Sequence, residues 1–214
     1  FCKSRDWLSR FRKTSIRPKW YNTQLYSKLD VSNRKQAIER ALQFRLVESD
    51  QQPLIIPHNL PEQLTPFVGR ETDLQNLQDL LADPAIRLVS IVGPGGIGKT
   101  RLSLQTGRLL LPHFADGVFF VQLAHLTTAD EIPSTLAQLF ELLAPSQTQA
   151  EQIQSMTQFL HAKSMLLVMD NFEHLLPNSI PIISEILEHK PHIKILITSR
   201  ERLNLASETV FDIR

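Results

Sequence analysis

The stretch that decides the fold is Arg87–Thr100, RLVSIVGPGGIGKT. It opens with a short apolar run, Leu88 to Val92, rich in β-branched residues, which predicts a buried strand. Gly93, Pro94, Gly95, Gly96, Ile97, Gly98, Lys99 and Thr100 come next and match G-x-x-x-x-G-K-[ST] at every fixed position, between a predicted strand and a predicted helix. The residue types explain the chemistry. Glycines let the backbone bend so that successive N–H groups turn inward toward phosphate oxygens. A helix starting at or just before Lys99 adds its positive end. Lys99 is placed to reach β- and γ-phosphates, and the Thr100 hydroxyl to ligate Mg²⁺. Arg101, next in the helix, is counted with the phosphate-binding residues. The alternative is a glycine-rich turn that binds nothing.

The rest of the composition sets bounds. The chain has 214 residues, 42% hydrophobic and 21% charged, enough for a packed core and one or two domains. Its one cysteine, Cys2, excludes an internal disulfide and fits a reducing compartment. No apolar run reaches 18 residues, so no membrane span is expected, and the basic start lacks the apolar core of a signal peptide. These features together predict a cytoplasmic protein. The first residue is Phe1, and the chain is read as a fragment.

A net charge of +1 conceals an asymmetry. Residues 1–46 carry 12 Lys and Arg against 3 Asp and Glu, a net of +9, and residues 47–214 carry a net of −8. The basic part suits a polyanion such as DNA, or is a solvated basic tail. Within it, Pro18 can open a helix containing Trp20, Leu25 and Leu29, and Asp30–Asn33 breaks it. Asn33 with Gln36 resembles a capping box ahead of Ala37, Ile38, Ala41 and Leu42. The result is a helix–turn–helix pair with a cationic, amide-bearing face.

Lys19 to Ala41, KWYNTQLYSKLDVSNRKQAIERA, resembles the C-terminal half of a LuxR-type DNA-binding domain through Lys28-Leu29, Val31 and Arg34. The resemblance implies that Lys19, Asn22, Thr23 and Lys28 face DNA. The chain has Arg17-Pro18 where that family usually has Thr-Val, and the domain is read as partial.

Residues 47–66 hold four prolines, at 53, 57, 61 and 66, and are read as a linker, with Leu54, Ile55, Ile56 and Leu60 available to dock on the next domain. Then come Phe67-Val68-Gly69-Arg70-Glu71 and an amphipathic helix with Leu74, Leu77, Leu80 and Leu81 on one face. Beyond Thr100 a helix is expected to about Leu111, then a strand at Gly117–Leu123. Next is a helix capped by Asp130 with Leu136, Leu139, Phe140 and Leu143 on one side. A further helix is expected at about 149–162, with Met156 and Phe159 as core residues.

Met165-Leu166-Leu167-Val168-Met169-Asp170 is the second key stretch, an apolar strand that delivers a carboxylate to its end, the Walker B pattern. Asp170 is the expected Mg²⁺ partner of Thr100. The next residue is Asn171 where many hydrolytic ATPases have Glu. Glu173 is the nearby substitute base, or a helix-capping or solvated residue; His174 is read as a surface or packing residue. Fast turnover is not expected. After a short helix over 182–187, Ile193–Arg200 (IKILITSR) predicts a strand ending in polar groups.

These segments resemble a STAND/NB-ARC nucleotide-binding domain over residues 66–214, with its motifs in order. The resemblance implies an α/β fold with a parallel sheet flanked by helices, ATP or ADP with Mg²⁺, and Val68, Gly69 and Arg70 around adenine and ribose. It implies that Thr198-Ser199-Arg200 reads the γ-phosphate, with Arg200 as the guanidinium. The domain reading is therefore a partial helix–turn–helix segment at 1–46, a linker at 47–66 and a nucleotide-binding domain at 67–214, its C-terminal lid and sensor domains lying beyond Arg214. The resemblance further implies a bacterial transcriptional regulator in which ADP holds a closed form and ATP permits homo-oligomerisation on DNA, with no membrane involved. Two other readings stay open: an autonomous P-loop ATPase, and a DNA-binding or scaffold protein with a structural nucleotide.

Overall fold

The apolar runs that the sequence marks as strands lie side by side in one sheet of the computed structural model, which describes residues 56–142, 148–161, 163–188 and 192–214. Strands β1 (Leu88–Val92), β2 (Val118–Gln122), β3 (Met165–Asp170), β4 (Ile193–Ser199) and β5 (Glu208–Asp212) run in the order β2-β3-β4-β1-β5. All neighbouring pairs are parallel. Every residue of β1, β3 and β4 is buried, as the continuous apolar runs of central parallel strands require. Lys19, Asn22, Thr23 and Lys28, with the rest of the basic segment, lie outside the described residues, as do Leu54, Ile55 and Leu143.

Helices cover both faces, confirming the α/β fold expected from the sequence. On one face α1 (Glu71–Ala82) and α2 (Lys99–Leu110) set Leu77, Leu81, Leu102 and Leu110 against Val89, Ile91, Val168 and Leu196. On the other, α3 (Glu131–Leu139), α4 (Gln149–Leu160) and α5 (Ile180–Leu187) set Ile132, Leu136, Met156 and Ile186 against Leu167, Met169, Ile195 and Ile197. The period-2 alternation of strands decides what each face receives. Leu166 and Val168 point to the α2 side, and so does Asp170; Leu196 does the same in β4, and Thr198 shares its parity. Lys194, on that parity at the other end of β4, donates to the carbonyls of Asp83 and Ile86 beyond α1 (2.5 and 2.9 Å). Burial holds its pKa below the usual lysine value.

Two local readings gain detail. Residues 56–66, read as the end of a linker able to dock through Ile56 and Leu60, pack on the sheet. Pro57 accepts from Val118 N (3.2 Å), and the Asn59 amide both donates to Phe120 O (2.8 Å) and accepts from Phe120 N (2.6 Å), closing the β2 edge as a strand would. Leu60 is buried in the α2-side core, a burial worth about 1.5–3 kcal/mol. Prolines rule out a helix here, not a docked extended segment. Asp130 precedes α3 but caps nothing with its side chain. The Glu131 carboxylate instead ties down the turn before the helix, accepting from the N–H and hydroxyl groups of Thr127 and Thr128 at 2.8–3.1 Å.

Candidate functional site

Strand order builds the site. Placing β4 between β1 and β3 brings the loop after β1, the acid ending β3 and the polar end of β4 to one edge, the C-terminal edge where parallel sheets bind ligands. In the loop, Gly96 and Gly98 take left-handed φ of 78° and 95°, with open space where a side chain would start. Gly93 is constrained differently: a Cβ there would stand 2.7 Å from the Ile213 carbonyl oxygen. Helix α2 begins at Lys99 with no side-chain cap, so its first N–H groups remain available to an anion. Lys99 Nζ donates to the Gly93 and Pro94 carbonyls (2.7 and 2.9 Å), folding the ammonium back onto the loop. Its pKa lies below the ordinary value. Burial is the main cause; Glu173 opposes it, Arg200 adds to it, and Asp170 opposes it.

Asp170 is the hub. Its Oδ1 accepts from Thr100 Oγ1 (2.7 Å) and Thr198 Oγ1 (2.6 Å). Thr198 Oγ1 in turn accepts from Asn171 N (3.0 Å), and Thr198 O accepts from Phe172 N (3.0 Å). These bonds stitch the exit of β3 to β4 and hold Asn171 at a left-handed φ of 64°. The Asn171 amide lies 3.4 Å from His174 Nδ1, and His174 Nε2 lies 3.1 Å from Leu126 O, so the exposed His174 is tied to the neighbouring loops. Glu173 Oε1 pairs with Arg200 Nε at 2.9 Å.

The loop and these side chains enclose about 300 Å³, lined by Gly95, Gly96, Gly98, Lys99, Thr100, Arg101, Asp170, Asn171, Glu173, Thr198 and Arg200. Gly93 and Pro94 contribute through their carbonyls, and Ile97 packs toward the α2-side core. Val68, Gly69 and Arg70 do not line this space. Val68 is exposed, while Arg70 starts α1 at a φ of 61° and bonds Asp73 (3.0 Å) and the Arg214 carbonyl (3.3 Å). Arg101 reaches back from the rim to the carbonyls of Thr65 and Pro66 and lies over the Phe67 ring, tethering the segment before Val68.

The donor set fits a nucleotide's phosphates with Mg²⁺. An open glycine cradle, an ammonium and a guanidinium suit phosphate oxygens. Thr100 and Asp170 supply hard oxygens of the kind Mg²⁺ takes. Among the described residues no cluster of three His, Cys, Asp or Glu could hold a metal. Thr198, read from the sequence only as part of the group at the end of β4, also donates to Asp170, a contact that motif reading did not foresee. No described helix is long and apolar enough to cross a membrane.

Residues 86–205 match the AAA domain family. An uncharacterized protein of Mycobacterium tuberculosis is 36% identical over 153 residues, 72% of this chain and 38% of that protein. A second M. tuberculosis protein, named provisionally as an HTH-type transcriptional regulator, is 38% identical over 122 residues, 57% of this chain and 13% of its own length. The crystal structure of Cdc6p from Pyrobaculum aerophilum aligns with a TM-score of 0.51 at 18% identity, over 70% of this chain and 44% of that one, a likeness of fold. The chain thus spans 38% of the first curated relative and 13% of the second.

Proposed function

The chain belongs to the AAA domain family, and from that premise we propose that its described domain is an ATP- and ADP-binding switch in a bacterial transcriptional regulator. The observation that carries the reading is the Thr100–Asp170–Thr198 cluster at the foot of the glycine loop, with Arg200 over Gly95. The loop amides and Lys99 bind the phosphates; Thr100 and Asp170 hold Mg²⁺. Held by these two oxygens, a Mg²⁺ ion would supply charge neutralisation for the phosphates. Val68, Gly69 and Arg70 border the nucleotide on the base side.

A switch fits better than a fast hydrolase. Asp170 already accepts two hydrogen bonds, Asn171 is the next residue, and Glu173, the other carboxylate lining the space, is paired with Arg200. Among the described residues that line the space, both carboxylates are thus engaged by other side chains, which disfavours a ready general base. The STAND/NB-ARC resemblance supports ADP holding a closed state and ATP permitting self-association. The LuxR-type resemblance of Lys19, Asn22, Thr23 and Lys28, the +9 charge of residues 1–46 and the relative named as an HTH-type regulator support DNA as the output.

The test is to denature the purified chain, identify the released nucleotide by chromatography, and follow phosphate release after adding ATP with Mg²⁺ to native protein. Retained ADP with at most one turnover is the expected result. Steady multiple turnover from an empty site would replace the switch with an autonomous ATPase.

A further inference from the structure

Glu173 stands where a catalytic base could stand, yet its carboxylate is committed. Oε1 pairs with Arg200 Nε at 2.9 Å, and Oε2 is buried without a hydrogen-bond partner. The pair is also one-sided. Arg200 is held through Nε alone; among the described residues Nη1 and Nη2 make no hydrogen bond. Those two nitrogens form the planar fork suited to bidentate phosphate contact. The guanidinium lies over the loop, with Cζ and Nη2 each 3.7 Å from where a Gly95 side chain would begin. The anchor beneath it is stiff. Phe172 is fully buried, and the bonds from Asn171 N and Phe172 N to Thr198 fix Glu173 relative to β4, two residues before Arg200.

We propose that Glu173 is a positioning residue that fixes Arg200 through Nε so that the free Nη1/Nη2 fork reads the third phosphate, making the pair the determinant of ATP-over-ADP preference. This rests on the nucleotide reading above and names how the site tells its two states apart. Most of the Arg200 side chain is exposed (67%), so without a tether it would lose rotamer freedom on binding; the Glu173 contact settles that cost before the nucleotide arrives. A diphosphate does not reach the fork and gains nothing from it.

Two other roles for Glu173 give different outcomes. A competing latch would hold Arg200 back from phosphate, and its removal would strengthen ATP binding. An independent base or bystander would affect nucleotides equally whether or not Arg200 is present. The experiment is calorimetric titration of ATP and ADP, each with Mg²⁺, into the nucleotide-free chain and its E173Q, R200A and E173Q/R200A variants. E173Q is isosteric, and ADP affinity reports whether each variant keeps its site.

Expected are a loss of ATP-over-ADP preference of about fivefold in E173Q and about tenfold in R200A, with ADP affinity little changed. In the R200A background E173Q should cause no further loss. A gain in preference in E173Q, or an equal loss with and without Arg200, overturns the proposal while leaving the nucleotide site in place. If neither nucleotide binds the unmodified chain, the site reading falls and this inference falls with it.

Discussion

The sheet ends in two cavities of nearly the same size, about 300 and 310 Å³, with opposite chemistry. At the C-terminal ends of the strands the walls are glycines, Lys99, Asp170, Glu173 and Arg200. At the N-terminal ends of β2 and β3 they are mainly Phe119, Phe140, Phe159 and Met165, with the Asp116–Lys163 pair at the rim. Phe140 meets Phe119 edge-on at 5.1 Å and Phe159 at 4.8 Å, so that end is a packing cluster. Size alone therefore does not mark the functional end. What marks it is polar groups gathered from loops distant in sequence, which only a packed sheet can hold near one another.

A change at each end, with opposite readouts, puts this contrast to its severest test. Lys99→Ala should weaken ATP binding about 100-fold, about 2.7 kcal/mol, by removing a charge-assisted contact. Its effect on thermal stability should be small, because the side chain packs against nothing in the core. Unchanged ATP affinity by calorimetry would show that the glycine loop is a turn and no more. Phe140→Ala should do the reverse. A buried Phe→Ala costs 3–5 kcal/mol, so a half-buried ring should cost about 2, lowering Tm by roughly 4–8 °C with nucleotide affinity unchanged. Nucleotide affinity that fell with Phe140 would mean that the two ends are coupled through the sheet.

The polar end was legible in its parts and illegible in its assembly. The glycine loop could be read because its residue types are dictated by the phosphate they cradle, and Asp170 because an acid that ends an apolar run gains meaning from following such a loop. The position of β4 between β1 and β3 could not be read, since strand order is decided by crossovers and packing, not by any one segment. Thr198 was named with Ser199 and Arg200, but its bond to Asp170 stayed hidden until the fold set the hydroxyl 2.6 Å away. The pairing of Glu173 with Arg200 was equally invisible; in the sequence each stands alone, one as a base and one as a phosphate sensor. In residues 56–66 the docking of Leu60 could be expected from its apolar side chain, but the Asn59 bonds to Phe120 could not, because prolines report only on backbone hydrogen bonding within the segment.

A gentler test uses acid. Glu131 begins α3, in the stretch that leads from the polar end of β2, and four donors from Thr127 and Thr128 converge on its carboxylate. They hold its pKa at about 2, against 4.5 for an unperturbed glutamate; the Thr127 hydroxyl is the largest cause. The folded-state value is depressed, so between pH 4.5 and 2 the unfolded chain binds more protons than the folded one. The stabilisation from Glu131 is complete above pH 4.5 and is lost as pH falls through the folded value. At the apolar end Asp116 is also held low, first by the Ser164 N–H and then by Lys163, so the whole protein softens in acid and only a variant isolates one group. Glu131→Gln should flatten the loss of stability between pH 4.5 and 2, measured by urea unfolding at fixed pH values, while lowering stability slightly at neutrality. An acid limb as steep as that of the unmodified chain would mean that the carboxylate is not what fixes the start of α3, and the Thr127–Thr128 turn would then owe its shape to the packing of Leu126 and Ala129 beneath it.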